Sequence, residues 1–128
     1  MGLLYHTSLV VEDLARAAQF YDELLATIGG KRVVDQPPLA IAYARDGEGP
    51  SFWLQSPRQF AFLKIASHCH FAFAVETEGE AMAFHDKALE LGAELVYDSR
   101  TQNDIPGYLG FVFKDLDGHL PEVFVLRR

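Results

Sequence analysis

The chain has 128 residues, 49% of them hydrophobic and 23% charged, which is the length and balance of one globular domain and not of a disordered or fibrous chain. Its net charge of −7 argues against nucleic acid or an anionic membrane as the main partner, and no apolar run is long enough to span a bilayer. The single cysteine, Cys69, excludes an internal disulfide framework; with no secretory signal in Met-Gly-Leu-Leu-Tyr-His, the expected compartment is the cytoplasm.

In chain order, Leu3 to Val11 is rich in Leu, Val and Tyr and predicts a strand. Asp13 is placed to cap a helix, carried by Leu14, Ala17, Ala18, Tyr21, Leu24, Leu25 and Ile28 at helical spacing and stopped by Gly29-Gly30. Strands are expected at Lys31–Asp35, Ala40–Arg45 and Ser51–Gln55, separated by Gln36-Pro37-Pro38 and by the turn Asp46-Gly47-Glu48-Gly49-Pro50. Ser56 to Ser67 is a connector with an apolar patch of Phe60, Phe62, Leu63 and Ile65. The order then repeats: a strand over His68–Glu76, a helix opened by Thr77 and Glu80 spaced as a capping box and ended at Gly92, and a strand over Ala93–Asp98. A polar loop over Ser99–Gly107 leads to a closing hairpin. In that hairpin Tyr108–Phe113 and Val123–Leu126 flank Asp115-Leu116-Asp117-Gly118, with Gly118 free to take positive φ. Alternation puts Val123 and Val125 on one face, Glu122 and Phe124 on the other.

Each half reads β-α-β-β-β, and residues repeat as well as pattern. A shift of 64 takes His6 to His70, Val11 to Val75, Glu12 to Glu76, Ala17 to Ala81, Phe20 to Phe84, Asp22 to Asp86 and Leu25 to Leu89. Late in each half the shift becomes 69 and takes Asp46 to Asp115, Gly49 to Gly118 and Trp53 to Glu122. The expectation is an α+β fold: one domain, 1–128, of two βαβββ modules (about 1–56 and 68–128, joined by 57–67) related by a pseudo-twofold.

Taken singly, His6 and His70 read as ordinary strand histidines. As a repeat-related pair joined by Glu122 they read as ligands of a divalent metal, Zn²⁺, Ni²⁺, Mn²⁺ or Fe²⁺, since neutral imidazole and carboxylate bind all four. His68, two residues from His70, is the rival ligand on the same strand face, and Cys69 between them reads as a small core residue. Trp53 cannot ligate and is expected to wall a pocket, with Gln55 beside it on the same face; Tyr108 is expected to line the same cleft. His119 and Arg100 have no counterpart in the repeat, and His85, next to Asp86 on a helix, is expected on the surface.

His6 with Val10-Val11-Glu12-Asp13-Leu14 and Phe20-Tyr21, His70-Phe71-Ala72-Phe73, and Asp115-Leu116-Asp117-Gly118-His119 with Glu122 resemble the vicinal oxygen chelate superfamily. That superfamily groups glyoxalase I, bleomycin-resistance and fosfomycin-resistance proteins and extradiol dioxygenases. The resemblance covers essentially the whole chain and implies two modules whose sheets form a cupped cleft around a metal held by His6, His70 and Glu122. The chain departs from glyoxalase I where that enzyme's fourth, carboxylate ligand falls on Trp53. It departs also at Leu116 and Pro121 of the closing motif. The resemblance implies a metal-dependent lyase or isomerase acting on a small substrate that chelates through neighbouring oxygens, with Glu122 the candidate catalytic residue and the general base unassigned. It leaves open a metal-free binding protein of the bleomycin-resistance type sequestering a small aromatic ligand, and a dioxygenase or thiol transferase. It also implies a homodimer.

Overall fold

The computed structural model describes residues 2–102 and 105–126. The chain divides between Ala66 and Ser67 into two compact units. In the first, β1 (Thr7–Val10) leads through α1 (Leu14–Ala26) to β2 (Lys31–Gln36), β3 (Ala40–Ala44) and β4 (Phe52–Gln55), which form a four-stranded sheet in the order β1-β4-β3-β2. In the second, β5 (His70–Val75), α2 (Glu78–Glu90), β6 (Glu94–Asp98), α3 (Ser99–Gln102), β7 (Gly110–Lys114) and β8 (Leu120–Val125) give the equivalent order β5-β8-β7-β6. In each sheet the first and last strands run parallel and the remaining pairs antiparallel, so the fold is α+β with two βαβββ modules, as the sequence predicts.

The register between the first and last strands of each sheet reproduces the repeat. Ser8 faces Trp53 in one sheet, and their counterparts Ala72 and Glu122 face each other in the other. Trp53 also faces Ala42, as Glu122 faces Val112. Both β2 and β6 carry a bulge at the same place, after Arg32 and after Leu95. A bulge twists an edge strand and blocks its pairing with another chain.

Each core forms between one helix face and one sheet face. In the first unit, Ala18, Tyr21, Leu24 and Leu25 of α1 and Leu9, Ile41, Phe52 and Leu54 of the sheet are almost wholly buried, with the Tyr21 and Phe52 rings 4.9 Å apart. In the second, Phe84 of α2 packs against Phe73 and Phe113, and Val123 and Val125 are buried on the same face. Each large side chain so buried contributes roughly 1.5–3 kcal/mol. Asp13 caps α1 by accepting from Arg16 N, and Thr77 with Glu80 forms the predicted capping box on α2. The Asp115–His119 turn closes as read, with Gly118 at φ +85° and the Asp115 carboxylate accepting from the backbone N–H of Asp117 and His119.

Five local expectations are corrected. β1 starts at Thr7, and Leu3, Leu4 and Tyr5 are exposed coil. His68 lies outside β5 at φ +63°, bonded to Ser67, so it does not share the strand face of His70. Ser99–Gln102 is a short helix and not loop, because Ser99 is buried and its hydroxyl accepts from Gly110 N at 3.0 Å. His85 is buried, not on the surface: it sits beside Phe84 at the helix–sheet seam, 4.7 Å from the Phe111 ring, with Nδ1 2.8 Å from Asp86. Cys69 is only half-buried, just before β5. Among the described residues no helix is long and apolar enough to cross a membrane.

Candidate site on the β8 face

Glu122 lies in the middle of the second sheet, between Ala72 of β5 and Val112 of β7. Its face is opposite the one buried under α2, because Pro121, Val123 and Val125 alternate with it. The half-buried carboxylate is held at both oxygens. Oε1 is 2.8 Å from Nε2 of His70, and Oε2 accepts a hydrogen bond from the Tyr108 hydroxyl. The Glu122 side chain is 14% exposed and that of His70 is 57% exposed, so the pair presents an imidazole to solvent and keeps its carboxylate sheltered.

Tyr108 precedes β7, and its ring reaches Glu122 across Gly110. A Cβ on Gly110 would collide with the Tyr108 ring and hydroxyl, so the absence of a side chain there makes room for the contact. Phe124 lies at 6.3 Å, roughly parallel, and Tyr97 at 6.4 Å. Burial, then the hydrogen bond to the Glu122 carboxylate and its charge, push the Tyr108 phenol well above its usual value. Tyr108 is therefore a neutral donor at physiological pH.

Behind this face, the His119 ring is fully buried, and its Nδ1 accepts from Cys69 N at 3.3 Å, fixing the chain one residue before His70.

In the first unit Trp53 stands at Glu122's register position. Its indole N–H donates to Pro50 O at 3.3 Å, and the His6 ring lies 6.2 Å away. Gln55, two residues on, donates from Nε2 to Ser8 Oγ at 3.0 Å. A pocket of about 410 Å³ opens here, where the sheet contributes Ser8, Trp53 and Gln55 and the connector contributes Gln59, Phe60 and Phe62. The Phe60 and Phe62 rings stack 5.1 Å apart.

Of the predicted site residues, the structure thus brings His70, Glu122 and Tyr108 together in one unit, and His6, Trp53 and Gln55 together in the other. Gly110 and Gln59 had no signal in the repeat; Gly110 was legible only as a small residue in a strand, which often marks close approach of another group. Among the described residues, neither unit by itself gathers three His, Cys, Asp or Glu side chains into a metal-holding group. The pair His70 Nε2 and Glu122 Oε1 is chemically suited to a divalent ion, being an imidazole nitrogen and a carboxylate oxygen facing each other.

A family model described as a glyoxalase-like domain matches residues 6–124. Among solved structures, a glyoxalase/bleomycin resistance protein from Albidiferax ferrireducens T118 is similar at TM-score 0.76 and 22% identity, covering 98% of this chain and 100% of that one. A lactoylglutathione lyase from Agrobacterium tumefaciens is similar at TM-score 0.72 and 18% identity, over 98% of this chain and 94% of that one. The fosfomycin resistance protein FosX from Mesorhizobium loti is similar at TM-score 0.66 and 15% identity, over 99% and 94%. No curated protein matches the chain.

Proposed function

The chain belongs to the glyoxalase-like domain family, within the vicinal oxygen chelate superfamily, and from that premise we propose that it is a divalent-metal-dependent enzyme of lyase or isomerase type acting on a small substrate with neighbouring oxygens. The observation that carries this reading is the contact between His70 Nε2 and Glu122 Oε1. These atoms, with His6 as the repeat-related third ligand, would hold the metal. When bound, such an ion supplies Lewis-acid polarisation of substrate oxygens. The chain's own contributions are separate from that. Tyr108 occupies one Glu122 oxygen and leaves the other directed at His70, which favours a single oxygen as ligand. Trp53, at the register position that Glu122 holds in the other sheet, offers no ligand atom for a metal.

The test is metal uptake by chelator-treated protein. The proposal expects stoichiometric binding of at least one of Zn²⁺, Ni²⁺, Mn²⁺ or Fe²⁺, weakened ~10–100-fold or more in Glu122→Gln and His70→Ala. Uptake unchanged in both variants would reject the site.

A second reading, a metal-independent binding protein of the bleomycin-resistance type, is favoured by the aromatic pocket at Trp53, Phe60 and Phe62. It expects ligand binding that is indifferent to chelator and to Glu122→Gln.

A further inference from the structure

We propose that the buried His119 is a positioning residue for His70: its ring clips the chain at Cys69 and so fixes where the His70 imidazole stands beside Glu122. The proposal rests on the reading of His70 and Glu122 as metal ligands and adds to it a residue that is not itself a ligand.

The turn before β8 holds the chain ahead of His70 at three points. His68 N donates to Gly118 O at 3.0 Å, Cys69 N to His119 Nδ1 at 3.3 Å, and Leu120 N to Cys69 O at 2.8 Å. Of these three links, only the middle one uses a side chain. His68 stands at φ +63°, a left-handed kink whose own N–H takes Gly118 O, and the Cys69 N–H is left to the imidazole. His119 is itself anchored through its backbone. Its N–H donates to Asp115 Oδ1 and its carbonyl accepts from Asp115 N, both at 2.8 Å. The strand β5 then starts at His70, paired with Leu120.

The first unit serves as an internal control. The repeat puts Pro50 where His119 stands, and proline has no side-chain acceptor. There β1 starts only at Thr7, paired with Phe52. Tyr5 and His6, the counterparts of Cys69 and His70, precede the ladder as exposed coil. The repeated histidine is therefore a strand residue in the unit that has the clip and a coil residue in the unit that lacks it.

Packing alone would not select a histidine at position 119. The ring is fully buried, and with Nδ1 accepting, its hydrogen sits on Nε2, which has no hydrogen-bond partner among the described residues. A buried polar atom left unpaired costs the desolvation of that group, which an apolar side chain of similar size avoids. What the imidazole supplies, and an apolar side chain cannot, is the acceptor for the Cys69 N–H.

The test compares His119→Asn, whose Oδ1 falls where Nδ1 was, with the apolar variants His119→Leu and His119→Met. Three quantities are measured in each: the unfolding midpoint, the ring ¹⁵N shifts of His70 in chelator-treated protein, and the calorimetric affinity for whichever of Zn²⁺, Ni²⁺, Mn²⁺ and Fe²⁺ the wild type takes up. In the apolar variants the His70 shifts should move and the metal affinity should fall ~10-fold or more, whichever way the midpoint goes. His119→Asn should stay close to wild type in both. Apolar variants that fold with unchanged His70 shifts, or a His119→Asn protein as impaired as they are, overturn the proposal. Should neither apolar variant fold, the wild type and His119→Asn decide. A scalar coupling between the Cys69 amide nitrogen and His119 Nδ1, with wild-type His70 shifts in His119→Asn, upholds the proposal; a missing coupling or displaced shifts overturn it. A wild type that takes up no metal, but whose His70 shifts move in the apolar variants, rejects the metal reading and keeps His119 as the residue that positions His70. Metal bound equally by the wild type and the apolar variants keeps the metal reading and rejects this proposal.

Discussion

Tyr108 is the residue on which the geometry of Glu122 turns, and its titration is the handle on that contact. The folded-state phenol is raised above its ordinary value of ~10 by burial and by the Glu122 carboxylate. The stabilisation is therefore fully present below pH ~10 and is lost as pH rises through the folded value. Tyr108→Phe should cost about 1 kcal/mol at neutral pH and should flatten the fall in stability at alkaline pH, read from denaturant midpoints across that range. Gly110→Ala should act on the same contact from behind. The added methyl has no space beside the Tyr108 ring, so a loss of about 1–3 kcal/mol is expected, with Tyr108 returning toward ordinary phenol titration in ultraviolet absorbance. Glu122's face was legible in the sequence, because alternation with Val123 and Val125 fixes it. The Tyr108 contact was not, because it depends on a residue outside the strand crossing a missing side chain. His85 was misread for a related reason: helical spacing flagged Phe84, and the seam that also buries its neighbour exists only once Phe111 and Phe113 are in place.

At the scale of elements, the repeat in the residues became a repeat in register. The pairs Ser8–Trp53 and Ala72–Glu122, and the matching bulges in β2 and β6, are consequences of one βαβββ pattern used twice. What differs between the modules lies at positions where the repeat fails. In the first, Arg32 clamps Asp22 through two nitrogens at 2.8 and 2.7 Å, and Asp22 also accepts from the Tyr43 hydroxyl, tying α1 to β2 and β3. Burial raises the Asp22 carboxyl, but the hydrogen bonds from Arg32 and Tyr43 outweigh it and hold the group below the usual range. In the second, the register places Phe113 where Tyr43 stands, and His85 meets Asp86 instead. Helix α2 starts at a capping box: Thr77→Ala removes it and should cost about 0.5–2 kcal/mol in thermal or denaturant unfolding. The ends of elements were the least legible. A strand from Leu3 looked continuous with β1, yet β4 offers Thr7 its first partner at Phe52, and Leu3 to Tyr5 remain outside the ladder.

For the whole molecule, the family and the fold were legible because two modules carry the same signals and neither alone is a comfortable domain. Chemistry was legible only as a set of residue types: the repeat singled out His6, His70, Trp53 and Glu122 but said nothing of the connector's share in a pocket. The connector's Phe62 and Ile65 are 76% and 53% exposed, and with Leu3 and Leu4 they leave apolar surface that a second copy would cover. The expectation is a homodimer, seen by sedimentation as a species of twice the 14.3 kDa chain at micromolar concentration; a single-chain species there would refute it.

The most direct measurement is calorimetric titration of chelator-treated wild type, His6→Ala, His70→Ala and Glu122→Gln with Zn²⁺, Ni²⁺, Mn²⁺ and Fe²⁺, with circular dichroism to show that each variant is folded. The account predicts one ion per chain in the wild type and most of that affinity lost in each of the three variants. A folded wild type that takes up none of the four ions, or a Glu122→Gln protein that is more stable and binds metal as before, would contradict it.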